Sequence, residues 1–185
     1  RIMMDMELEG KNKKELIKII KETESKNEGL TKKIEKLREV ALKSLISDVI
    51  SLENSVPFFF GHSVKVATYS KAILRNLEKK IDLNFDKKDY WTLDKAARLH
   101  DVGYKGIKSE VFRERGNLDE EDFKKVKRHS VKGANMLKDL GYNNIAQLIE
   151  CHHPEYDKET NYNKEPKTKL DWMSQVINLS EFYSS

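Results

Sequence analysis

The chain has 185 residues, enough for one domain with a sizeable core. Apolar residues make up 38% and charged residues 36%; the balance is poor in hydrophobes, yet Leu, Ile, Val and Phe recur with clear spacing, which excludes a globally disordered chain. Lys and Arg outnumber Asp and Glu by 35 to 31, a mild surplus that suits a small anion and gives no support to binding of a nucleic-acid polymer.

Strand-like alternation is nearly absent and spacings of three and four dominate, so the fold class is all-α. Residues 1–44 read as an N-terminal helical extension and 45–185 as a helical domain. Lys13 to Lys21 forms a short helix around Leu16, Ile17, Ile19 and Ile20, and Gly29 breaks the chain. From Leu30 the positions Ile34, Leu37, Ala41, Leu45, Val49 and Leu52 continue one amphipathic stripe. Helix 30–52 packs on its own bundle or, as the alternative, forms the seam of a homodimer.

Pro57 and Phe58 to Phe60 mark a turn, and a helix runs from His62 to about Lys80 with His62, Val66, Tyr69, Ile73 and Leu77 on one stripe. The next spans about Lys88 to Asp101, followed by a loop at Gly103 and Gly106. Asp119 is an N-cap candidate, with Asp122 completing a box, for a helix that carries His129 and ends at Leu140 before Gly141. Asn143 caps a helix that reaches His152 and His153. Thr168 caps the last, through Leu170, Met173, Val176, Ile177 and Phe182.

All five histidines fall in one ordered pattern: His62, His100 followed by Asp101, His129, then His152 and His153. Imidazole is a good ligand for first-row transition metals, and a carboxylate beside one of them can bridge a second ion. Two such ions about 4 Å apart activate a bridging water and clamp phosphoryl oxygens. Mixed nitrogen and oxygen ligands suit iron or manganese. The expectation is therefore a two-metal centre that hydrolyses a phosphate ester. Lys105 and Lys108, directly after the His-Asp pair, are the candidates for phosphate contact.

The strings G-H-S-V-K-V at 61–66, A-A-R-L-H-D-V-G at 96–103, H-S-V-K-G at 129–133 and H-H-P-E-Y-D at 152–157 resemble the HD superfamily of metal-dependent phosphohydrolases, and within it the HD-GYP branch. The segment G-N-L-D-E-E-D at 116–122 resembles that branch's G-x-L-T-x-E-E turn. Over residues 45–185 the resemblance implies an HD-domain helical bundle with an iron or manganese centre that hydrolyses cyclic di-GMP or a related cyclic dinucleotide. It makes His62, His100, Asp101, His129, His152 and His153 metal ligands, Asp101 bridging, and puts Glu181 where the branch has its last ligating aspartate.

Four positions depart from the branch. Tyr104 replaces the lysine that contacts phosphate; it or Lys105 is left to protonate the leaving group. The G-Y-P string is absent after Asp157. Phe58 stands where three-metal members carry a glutamate, which limits the site to two ions. Ser184 replaces a second acid near the C-terminal end of the last segment. The alternative reading is thus a catalytically degenerate module that binds a nucleotide or a protein partner in signalling. The lone Cys151 excludes an internal disulfide framework, fits a cytoplasmic protein, and reads as a small buried residue. No apolar run approaches the roughly 18 residues of a membrane span, and no signal peptide is read in this stretch, a statement about the fragment only since it opens on Arg1 rather than Met.

Overall fold

A computed structural model describes residues 13–56, 59–107, 120–153 and 165–184. Phe58, Lys108, Asp119 and Asp157, and the side chain of Asp122, lie outside the described residues. The described chain is all-α, seven helices and a 3-10 turn with no strand. The helices are α1 (Lys13–Ser55), α2 (His62–Leu77), α3 (Lys87–Leu99), α4 (Glu120–Lys127), α5 (His129–Asp139), α6 (Asn143–Glu150) and α7 (Lys169–Ser184); the turn, Val102–Tyr104, follows α3. None of the described helices is long and apolar enough to cross a membrane.

The chain divides into two compact units, Arg1–Ala41 and Leu42–Ser185. In the first, α1 runs straight through Gly29, where a break was expected. An exposed helical glycine costs only about 1 kcal/mol against alanine, and the flanking lysines, glutamates and leucines are good helix formers. Ile20, Leu30, Ile34 and Leu37 are each about half exposed or more.

In the second unit α1 turns Leu42, Leu45 and Val49 into one core with Val66, Leu74, Leu93, Leu99, Leu137, Ile149 and Ile177. Burial of each such side chain is worth about 1.5–3 kcal/mol. Helix α2 packs on α3 and α7, α5 on α6 and on the 3-10 turn, and α6 on α3 and α7. Local chemistry fixes the ends. Asp86 accepts from the Lys88 and Asp89 amides while Asp89 accepts from the Asp86 amide, a capping box at the start of α3. Thr168 and Asp171 do the same for α7. Gly141, at φ 78°, ends α5, and the Tyr142 amide donates to the Leu137 carbonyl.

Two boundaries and the exposure of one residue differ from the sequence reading. The helix expected to run from Asp119 through His129 is two helices, interrupted at Arg128. The cap position of α6 is Tyr142, and Asn143 is its first helical residue. Phe182, placed on the inner stripe of the last helix, is 78% exposed.

Candidate metal centre

Three of the five histidines sit just past the end of a helix. His100 follows α3, His129 follows α4 and opens α5, and His152 lies two residues beyond α6. In each the ring folds back onto the carbonyl three residues earlier: His100 Nδ1 on Ala97 at 2.8 Å, His129 Nδ1 on Val126 at 2.6 Å, His152 Nδ1 on Ile149 at 2.5 Å. A carbonyl only accepts, so each Nδ1 carries the proton and each Nε2 points away from its helix.

Those Nε2 atoms converge. His62 and His100 face each other at 3.2 Å, and His129 faces His152 at 3.2 Å. Asp101 stands between the pairs: its Oδ2 lies 3.3 Å from His100 Nε2 and 3.9 Å from His62 Nε2, and its Oδ1 lies 3.4 Å from His129 Nε2. His153 packs on His152, ring centres 4.2 Å apart, and its Nε2 is 3.3 Å from Glu181 Oε1. The donors form two groups that could each hold a metal ion, His62-His100-Asp101 and His129-His152-His153, with ligand atoms within 4.8 Å inside each. All seven residues singled out as ligands are thus brought into one cluster.

The electrostatics ask for cations. Burial holds His129 down at about 4, against the pull of Asp101. Burial, with His153 and His100 nearby, holds His152 well below the usual range. Both rings are neutral near pH 7, so their unprotonated Nε2 atoms meet with no hydrogen between them. Burial, then His100, lowers His62 to about 4. Burial also opposes charge on His100, but Asp101 outweighs it and raises the ring to about 9. The proton held there occupies the place a metal ion would take. Asp101, despite burial, is kept well below the usual carboxylate range by His100, His129 and His62. Its Oδ1 is buried and accepts no hydrogen bond among the described residues. A buried, ionised, under-satisfied carboxylate among imidazole lone pairs is a donor set suited to iron, manganese or zinc.

Close packing aligns the halves. A Cβ on Gly103 would fall inside the carbonyl of His129, and one on Gly133 would lie 3.0 Å from Val102 Cγ1 and 3.2 Å from the Gly103 amide. Only two facing glycines let the loop after Asp101 lie flat on α5. On that loop the Tyr104 ring stacks on His129, centres 4.1 Å apart and planes at 26°. Lys105 turns elsewhere: its amine pairs with Asp48 of α1 at 2.7 Å, and its carbonyl accepts from Lys132. Lys108 lies outside the described residues.

Three neighbours were not picked out as site residues in the sequence. Glu53 is 5% exposed, and its Oε1 accepts the Ser63 amide at 2.6 Å beside His62. Burial raises its pKa against that hydrogen bond. The signal was an acid on the Val49-Val56 stripe of α1. Asn178 donates to the His152 carbonyl at 2.8 Å. Ser184, noted only as a lost acid, meets His62 Nδ1 at 3.0 Å.

Residues 59–177 match the HD domain family, and the chain belongs to it. It is also similar to the 3'3'-cGAMP-specific phosphodiesterase 3 of Vibrio cholerae serotype O1, at 28% identity over 131 residues. That match covers 70% of this chain and 27% of the relative, so the chain spans about a quarter of the relative's length.

Proposed function

We propose that this chain is a metal-dependent phosphohydrolase domain that opens a phosphodiester of a cyclic dinucleotide, in a degenerate HD-GYP-like form acting in cytoplasmic signalling. The observation that carries this is the convergence of three imidazole Nε2 atoms, those of His62, His100 and His129, on the one carboxylate of Asp101, with His152 Nε2 facing that of His129. HD family membership and the cyclic-dinucleotide relative support it. A pair of divalent ions, iron or manganese, would be held by His62, His100, Asp101, His129, His152, His153 and Glu181, and would supply Lewis acidity toward a phosphoryl group and an acidified water. The protein's own share is orientation. Asp101 presents one oxygen to each histidine pair, and the carbonyl-bound Nδ1 atoms of His100, His129 and His152 direct their Nε2 atoms to the metal. Tyr104, stacked on His129, is the proposed proton donor to the leaving oxygen. Phosphate contact falls to Lys108 and, once released from Asp48, to Lys105.

The test is direct. Protein loaded with manganese or iron is incubated with 3'3'-cGAMP, cyclic di-GMP and a chromogenic phosphodiester. Linear dinucleotide should appear, and His100→Ala and Asp101→Ala should abolish it. Metal-loaded protein that turns over none of them sinks the reading. The engagement of Lys105 with Asp48 and the Tyr104 replacement favour a second reading, a module that binds the nucleotide without cleaving it. Saturable binding with no turnover would establish that one.

We further propose a second copy of the chain as partner. Leu45 and Val49 are buried in the second unit, which takes them out of the 30–52 seam. Leu16, Ile20, Thr23, Asn27, Leu30, Ile34 and Leu37 step by four and three, with isoleucine at a except for Asn27 and leucine at d except for Thr23. That is the pattern of a parallel two-stranded coil. A monomeric mass at micromolar concentration would overturn it.

A further inference from the structure

His62 differs from its three partners in how its ring is held. It opens α2, and Gly61 turns the chain just before it at φ 68°. Its Nδ1 instead meets the hydroxyl of Ser184, 122 residues along the chain, at 3.0 Å. The same hydroxyl lies 3.0 Å from the Glu181 carbonyl, one turn back on α7, and donates to it. A serine hydroxyl has one hydrogen. With that hydrogen on Glu181, the oxygen accepts from His62 Nδ1, and His62 Nε2 is left with its lone pair toward His100.

Neighbouring contacts fix this register. Ser70 of α2 and Ser180 of α7 share a buried hydrogen bond of 3.0 Å, and Ser180 donates on to Val176. The pairs 70–180 and 62–184 run in opposite directions, so α2 and α7 are antiparallel and meet at both points. One residue before Phe182 on the same last turn, Glu181 reaches His153 at 3.3 Å. A single helical turn thus touches one histidine from each metal-binding group.

We propose that Ser184 is a positioning residue of the metal centre: accepting a hydrogen bond from His62 Nδ1, it sets the tautomer that turns Nε2 to the metal, so that the first histidine of the chain is readied by the last turn of the last helix. This rests on the metal-centre reading above but not on any hydrolysis. A hydroxyl does this job without adding negative charge, whereas a carboxylate there would also raise the basicity of the ring. The geometry thereby gives the departure at Ser184 a role.

The test compares wild type, Ser184→Ala and Ser184→Thr as full chains. Long-range proton–nitrogen NMR of the metal-free protein at neutral pH reads which nitrogen of His62 is protonated, the signal being assigned by its loss in His62→Ala. Wild type and Ser184→Thr should show protonated Nδ1, and Ser184→Ala a mixture or protonated Nε2. Calorimetric titration with manganese alone should show binding weakened about tenfold in Ser184→Ala and within about threefold of wild type in Ser184→Thr. Protonated Nδ1 in Ser184→Ala with manganese affinity within twofold of wild type overturns the proposal. So does a threonine variant as impaired as alanine. A wild-type protein with the expected tautomer that hydrolyses no dinucleotide would sink the phosphodiesterase reading and leave this one standing.

Discussion

Gly103→Ala tests the claim that two facing glycines assemble the centre. The added methyl group would enter the space of the His129 carbonyl and also sit 2.9 Å from the Gly133 amide. Both obstacles are backbone, so no rotamer change relieves them. Forcing extra volume into packed structure costs about 1–3 kcal/mol, and a backbone obstacle belongs at the top of that range. At about 3 kcal/mol, with 2–4 °C per kcal/mol for a unit of this size, the melting midpoint should fall by roughly 9 °C. The loop must also lift from α5, which moves Asp101 away from His129, so manganese affinity should fall with stability. Gly133→Ala meets mostly side chains at 3.0–3.3 Å and should cost less. Urea unfolding and manganese titration on the two variants measure both effects. A Gly103→Ala protein that loses under 1 kcal/mol, or less than Gly133→Ala, refutes the packing argument.

Asp94 accepts from Lys71 at 2.7 Å, Lys95 at 3.1 Å and Arg98 at 3.1 Å, and although burial opposes its charge, these cations hold its pKa at about 2. A depressed carboxylate contributes stability that is full above its unfolded value and is lost as pH falls through its folded one. Asp94→Asn should therefore cost on the order of 1–2 kcal/mol at pH 7, and the gap to wild type should close by about half near pH 3. Urea midpoints against pH read this, and a gap that stays constant to pH 3 contradicts it. Gly29→Ala, in a helix with nothing within 4 Å of the new methyl group, should slow amide exchange around residue 29 about fivefold, the equivalent of about 1 kcal/mol. Faster exchange would make Gly29 a functional break.

The histidine pattern was legible because imidazoles are scarce and all five fall in one ordered series. The helices were legible from Leu and Ile spacing, and the cap at Thr168 from its residue type. What escaped was set by contacts distant in sequence or by local competition. The carbonyls that orient His100, His129 and His152 are visible only once the helix ends are known. Arg128 interrupts an otherwise continuous pattern because His129 turns its ring back onto Val126. Glu53 was not singled out because its partner, the Ser63 amide, lies across the turn that precedes α2. The pairing of Lys105 with Asp48 escaped because the two lie 57 residues apart. Glycines 103 and 133 read as a loop and a motif letter; their real constraint is mutual.

The ends of α3, α4 and α6 that present His100, His129 and His152 have one further consequence. A helix carries a partial negative charge of about half an electron at its carboxyl end. Three such ends and ionised Asp101 outweigh the amino ends of the helices that open at His62 and His129 and the proton on His100 by about half a charge, which draws cations and repels a phosphate. On the proposed function, a dinucleotide anion approaching empty ligands would meet that repulsion, and bound divalent ions would reverse its sign. Loading should therefore be ordered, metal first and nucleotide second, with the nucleotide's apparent affinity climbing as metal concentration rises.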